Sequence, residues 1–229
     1  MSNNKRNILD IYSDQLSSPS YDDYLLLIHD RWIDVGNREI YMHGVESFDT
    51  IGSEGEEPGI EYTMATRIIK NLHILRHADR KAPVKIFMHT CGGIVEEGLA
   101  IYDTIKMMPY KVIIYSYTHA RSMSSVVLQA ADERILMPNS SFMFHRGSIG
   151  LSGEANEVRY DFKQCEELDS KVMRIYVESL KKSNGMFKGK SSKSIRKVLI
   201  DNMNSKTNVY LKPKEAVRWG FADKVCRTF

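Results

Sequence analysis

The chain has 229 residues, 42% of them hydrophobic and 27% charged, which suits one domain with a core of its own and excludes wholesale disorder. Lys and Arg number 32 against 29 Asp and Glu, and a formal charge of +3 is too small to point to nucleic acid or an anionic membrane. No apolar run approaches the roughly 18 residues of a membrane span, and Cys91, Cys165 and Cys226 are too widely spaced for a disulfide framework or a zinc knuckle, so a reducing, cytoplasmic setting is expected.

Residues 1–37 are polar with scattered aromatics, and Asp22 to Ile28 fits either a helical turn or a strand. Arg38 to Gly44 reads as a short strand, followed by an exposed, acidic, glycine-rich loop over 46–60. Met64, Ile68, Leu72 and Leu75 recur at helical spacing between Tyr62 and His77. Strands and helices then alternate: a strand over 84–89, a helix over 94–108 closed by Pro109, a strand over 112–117 and an apolar helix over 123–131. Short strands follow over 134–137 and 142–145. Such alternation predicts right-handed βαβ units and a largely parallel sheet. A long amphipathic helix fits 154–180, and the lysine-rich stretch 181–197, broken by Asn184-Gly185 and Gly189, reads as a solvated basic loop. A helix from Pro213 stopped by Gly220 and a strand over 222–226 close the chain.

Several motifs fail on inspection. Gly185 to Ser191 has only three residues between its glycines, where a phosphate-binding loop needs four, and it follows a helix instead of a strand. The seven histidines are dispersed, and there is no HExxH, no GxGxxG and no G-x-S-x-G elbow. One constellation survives. The 84–90 strand ends in Cys91-Gly92-Gly93, the next ends near Ser122 at a helix start, and His145 ends a later strand. Parallel strands gather their carboxyl ends on one edge, where such sheets place their sites. A hydroxyl, exposed N–H groups and an imidazole there suit acyl transfer. The same residues also read as a helix N-cap, a tight turn and a packed histidine.

Residues 84–150 resemble the proteolytic subunit of the ATP-dependent Clp protease. Thr90-Cys91-Gly92-Gly93 stands for that family's Ser-Pro-Gly-Gly turn, and Gly98 to Thr104 for its Gly-Leu-Ala-Ile-Tyr-Asp-Thr helix. Ala120-Arg121-Ser122-Met123-Ser124 stands for Ala-Ala-Ser-Met-Gly, and Met137 to His145 for the strand that carries the family's histidine. Gly147 to Gly150 with Gly153-Glu154-Ala155, and Glu215 to Asp223, match two later motifs. The resemblance implies an α/β, ClpP/crotonase-like spiral of βαβ units with a protruding helical handle, a protease domain over 38–229, and an N-terminal segment 1–37 for axial or partner docking. It implies a serine endopeptidase with Ser122 as nucleophile and His145 as base. The oxyanion hole would come from the N–H groups of Gly93 and Met123. Gly92 and the strand around Gly147, Ser148, Ile149 and Gly150 would pair with an extended polypeptide substrate. It further implies a homo-oligomer of stacked rings fed by a Clp-type AAA+ unfoldase, with no metal, cofactor or nucleotide bound to this chain and no nucleic-acid or membrane partner.

The match departs at the third triad position, where Asn208 stands in place of an aspartate and Asp201 is the alternative acid. This opens a second reading, a weak or inactive structural subunit assembling with active relatives. Arg121 replaces a small residue beside the nucleophile, and reads either as a surface arginine or as a group that charges the substrate pocket.

Overall fold

The computed structural model describes residues 21–44 and 59–228. Helix α1 (Tyr21–Arg31) leads into a two-residue strand β1 (Ile33–Asp34), antiparallel to β2 (Glu39–His43). Trp32 and Ile33 are buried, so this hairpin belongs to the core. The acidic loop expected over 46–60 lies outside the described residues apart from Gly59 and Ile60. From α2 (Tyr62–Ala78) onward, β3 (Val84–Thr90), α3 (Val95–Met107), β4 (Val112–Arg121) and α4 (Met123–Leu128) follow the expected alternation. Strands β2, β3, β4 and β5 (Glu133–Leu136) pair in parallel in that order, and β8 (Lys224–Val225) closes the edge beside β5. Alternate residues Val84, Ile86 and Met88 of β3, with Ile40, Met42 and Ile114 on its neighbours, bury one sheet face in the core shared with Ile68 and Leu72 of α2.

The length of β4 shapes the fold. Its first half pairs with β5, from Ile113–Glu133 to Ser116–Leu136. Its second half pairs in parallel with β6 (Ser141–Phe144), from His119–Ser141 to Arg121–Met143. Strand β6 in turn carries the antiparallel β7 (Val209–Leu211). Because β3, β4 and β6 run the same way, Cys91, Ser122 and His145 all emerge at one sheet edge. The buried face of β6 presents Phe142 and Phe144. They pack on Phe221 and Trp219, the latter ending α7 (Pro213–Trp219), with ring centroids 4.5–5.9 Å apart.

Helix α5 (Ala155–Lys182) has 28 residues, about 42 Å of helix. Its buried residues, from Met173 to Leu180, all lie in its second half, so the first half stands off the body as a handle. The basic stretch departs from expectation. Residues 192–206 form a helix, α6 (Ser192–Lys206), opened by the Ser191 hydroxyl accepting from the Ser194 N–H. Ile195, Leu199 and Met203, four residues apart, bury one side of it while the lysines cover the rest. The turn before it is anchored by Phe187, buried edge-on against Trp219. Residues 145–154, where the resemblance implies a strand that pairs with substrate and the opposite ring, run as irregular backbone within this chain.

Arg134 joins these layers and is almost fully buried. Its guanidinium meets Asp223 in a two-point ion pair, at 3.0 Å through Nε and 2.6 Å through the terminal nitrogen. It also donates to Gln129 Oε1, Ser179 Oγ and the Gly220 carbonyl at 2.8–2.9 Å. One side chain thus ties the segment after α4 to the handle base, the end of α7 and the approach to β8. Methionine would fill the volume but leave buried acceptors unmet. Arg134→Met is therefore expected to lose roughly 3 kcal/mol in urea unfolding; a loss below about 1 kcal/mol would show that the network is not what holds these elements.

Candidate active site

Ser122 occupies the sharp turn from β4 into α4. Its φ of 50° and ψ of −130° are rarely adopted by a residue with a side chain. Neighbouring hydroxyls hold the turn. Ser124 Oγ donates to the Arg121 carbonyl at 2.7 Å and accepts from the Arg121 N–H at 2.8 Å. Ser125 Oγ donates to the Ser122 carbonyl at 2.7 Å and meets the Tyr176 hydroxyl of the handle base at 2.7 Å. Burial pushes the Tyr176 phenol well above its usual range, so that hydroxyl stays protonated. Ser124 and Ser125 are therefore committed to backbone and core. The Ser122 N–H prolongs the sheet, donating to Met143 of β6 at 3.1 Å.

That last bond sets the spacing to His145, which follows β6. Its Nε2 lies 2.8 Å from Ser122 Oγ. The Asn208 amide acts on the same ring and raises its pKa, and with Nε2 engaged by serine, Nδ1 is the nitrogen left to it. The ring is half-buried. Desolvation lowers its pKa and the Asn208 bond raises it in part, with a net shift below the usual value. The imidazole therefore stays neutral, and able to accept a proton, to a lower pH than a free histidine near 6.5.

The Gly92-Gly93 turn faces Ser122. A Cβ on Gly92 would sit 2.7 Å from Ser122 Cβ and 2.8 Å from the Met123 nitrogen, at a φ of 113°. Only glycine lets the two turns meet this closely. The far side is pinned by Ile60, whose N–H donates to the Gly92 carbonyl at 2.5 Å and whose carbonyl accepts from Ile94 at 2.8 Å. This bridge does not use the Gly93 N–H. The Met123 N–H, at the first position of α4, has no acceptor within its own helix.

Ser122, His145, Asn208, Gly92, Gly93 and Met123 are thus brought together. Asp201 is not: it lies on the exposed side of α6, ion-paired with Lys197 at 2.6 Å. Gly147, Ser148, Ile149 and Gly150 lie exposed just beyond His145. Sequence reasoning missed Ser124, Ser125, Tyr176 and Ile60. The serine spacing was visible, but Tyr176 and Ile60 reach the site through the fold and leave no local pattern. Among the described residues no cluster of His, Cys, Asp and Glu could hold a metal ion, and no helix is long and apolar enough to cross a membrane. A cavity of about 730 Å³ lined by Tyr115, Lys214 and Cys226 includes none of these site residues.

Gly92→Ala should force the two turns apart. It is expected to slow reaction of Ser122 with a fluorophosphonate at least tenfold, roughly 1.4 kcal/mol, while the fold survives by circular dichroism; an unchanged rate would mean the contact does not shape the site.

Residues 56–229 match the family model of Clp protease. The chain is 28% identical over 208 residues to an ATP-dependent Clp protease proteolytic subunit of Deinococcus radiodurans, covering 90% of this chain and 85% of that one. It is 28% identical over 177 residues to the proteolytic subunit 2 of Chlamydia trachomatis serovar D, covering 76% and 78%. It is 26% identical over 169 residues to the corresponding subunit of Pseudomonas aeruginosa, covering 73% and 77%.

Proposed function

The chain belongs to the Clp protease family, and on that premise we propose that it is a serine endopeptidase acting on unfolded polypeptide inside a ring-shaped oligomer. The observation that carries this reading is the 2.8 Å contact between Ser122 Oγ and the neutral-leaning His145 Nε2. Ser122 passes its proton to Nε2 as Oγ attacks a peptide carbonyl. The Gly93 and Met123 N–H groups receive the negative charge that develops on the carbonyl oxygen. Collapse of the tetrahedral intermediate breaks the C–N bond, and His145 returns the proton to the leaving amine. Water, deprotonated by the same ring, then releases the acyl group. Exposed backbone at Gly147 to Gly150 is suited to pair with an extended substrate, which gives affinity with little side-chain selection. Because relatives are named as subunits of an ATP-dependent protease, we assign a Clp-type AAA+ unfoldase as partner, cytoplasmic location, and stacked rings to which the outstanding half of α5 contributes.

Asn208 tempers the rate. Its amide oxygen can accept the Nδ1 proton and keep the ring turned toward Ser122, but it brings no charge to stabilise the imidazolium. An aspartate-to-asparagine change at this place in a serine protease costs about 10⁴-fold, or roughly 5.4 kcal/mol of barrier. The same observation supports a second reading, a structural subunit that assembles with active relatives.

Asn208→Asp separates the two. A carboxylate at Nδ1 stabilises the protonated ring, so hydrolysis of a fluorogenic peptide should rise tenfold or more. For the same reason the acid limb of kcat/KM should move to higher pH, whereas in the parent it lies below the free-histidine value because the ring pKa is depressed. Asp201→Asn should leave the parent rate unchanged, as that carboxylate is paired to Lys197. No turnover by either Asn208 form would favour the structural subunit.

A further inference from the structure

The Asn208 backbone N–H donates to the Lys206 carbonyl at 2.6 Å. Asn208 sits between Thr207, which ends α6 with a φ of 58°, and β7, a three-residue edge strand. Val209 and Leu211 point into the core while Tyr210 points out, 53% exposed. An aspartate here would be drawn to the imidazolium by charge, but a neutral amide has no such pull and must be placed mechanically.

The means lies on the adjacent strands. Register pairs Arg121 of β4 with Met143 of β6, and Met143 with Tyr210 of β7, so the three form one row across the sheet. Arg121 reaches across this row. Its guanidinium carbon stands 5.4 Å from the Tyr210 ring centroid, and its Nε donates to Ser141 Oγ of β6 at 3.0 Å. A guanidinium held over an aromatic face at cation–π distance and fixed by a hydrogen bond makes a directional contact that lysine would not reproduce.

We propose that Arg121 is a positioning residue: held over the Tyr210 ring and tied to Ser141, it clamps β7 onto β6 and so holds the Asn208 amide near His145. This rests on the peptidase reading for its purpose, though not for its geometry. Departure from a small residue beside the nucleophile and departure from aspartate at the third position then become one coupled change, the clamp supplying the placement that charge no longer gives.

The test uses the full-length protein and diisopropyl fluorophosphate, which carries no amino-acid side chain for an arginine to select. Arg121→Ala and Tyr210→Ala should each slow covalent labelling of Ser122 about three- to tenfold. Tyr210→Phe, which keeps the aromatic face, should label at the parent rate. In an Asn208→Ala background, Arg121→Ala should cause no further slowing. Nitrogen-15 histidine spectra give a second readout that needs no hydrolysis: Arg121→Ala should lower the His145 titration midpoint toward that of Asn208→Ala, since the interaction with the Asn208 amide raises that midpoint and would be lost. Equal labelling by parent and Arg121→Ala with an unmoved midpoint would overturn the clamp. So would full slowing by Arg121→Ala in the Asn208→Ala background, or an effect confined to KM for acidic peptides, which would make Arg121 a specificity residue. A parent that never labels, while the midpoint still shifts in Arg121→Ala, would sink the peptidase reading and leave the clamp standing.

Discussion

Ser122 keeps φ at 50° and ψ at −130°, a backbone conformation that costs on the order of 1–3 kcal/mol and persists only where the surroundings over-determine it. Those surroundings converge from every layer. Ser124 and Ser125 bond the carbonyls of Arg121 and Ser122, β6 accepts the Ser122 N–H, and Gly92 presses from β3 where any side chain would collide. Tyr176 carries the restraint into the handle helix through Ser125. Gln129 carries it further, donating to the Ser125 carbonyl and accepting from Arg134. Turn, sheet, handle and carboxyl terminus are thereby linked through a short run of hydrogen bonds.

This linkage holds the candidate site at one edge of the sheet. Parallel strands deliver three functional turns to one place, and the long β4 sets their separation by pairing first with β5 and then with β6. A serine and an imidazole 2.8 Å apart follow from that register, given that each leaves its strand within two residues of a cross-strand bond. The strained turn then aims the hydroxyl outward from a backbone that cannot relax.

Much of this was readable before any coordinates. The alternation of β3, α3, β4 and α4 follows from apolar period and glycine punctuation, and the resemblance singled out Ser122, His145 and Asn208. What could not be read was non-local or masked. Helix α6 was hidden because seven Lys and Arg residues and two glycines over 181–197 obscured the single buried stripe of Ile195, Leu199 and Met203. Strand β7 is too short to carry a period. Arg134 meets Asp223 across 89 residues of sequence, and Arg121 meets Tyr210 only because β6 lies between them. The strand implied by the resemblance at Gly147 to Gly150 was expected to pair with substrate and a second ring, and within this chain those residues are exposed, irregular backbone.

A neutral Asn208 in the proposed third position is consistent with the same frame, because orientation can be supplied by neighbouring contacts whereas charge cannot. The proposed chemistry requires that the turn make Ser122 alone nucleophilic, through His145. Peptide mapping by mass spectrometry after exposure to a fluorophosphonate tests it most directly. The account predicts a single adduct, on the peptide containing Ser122, that is absent when the protein is unfolded in urea before exposure. No adduct on the folded protein, or modification of Ser124 or Ser125 in its place, would contradict it.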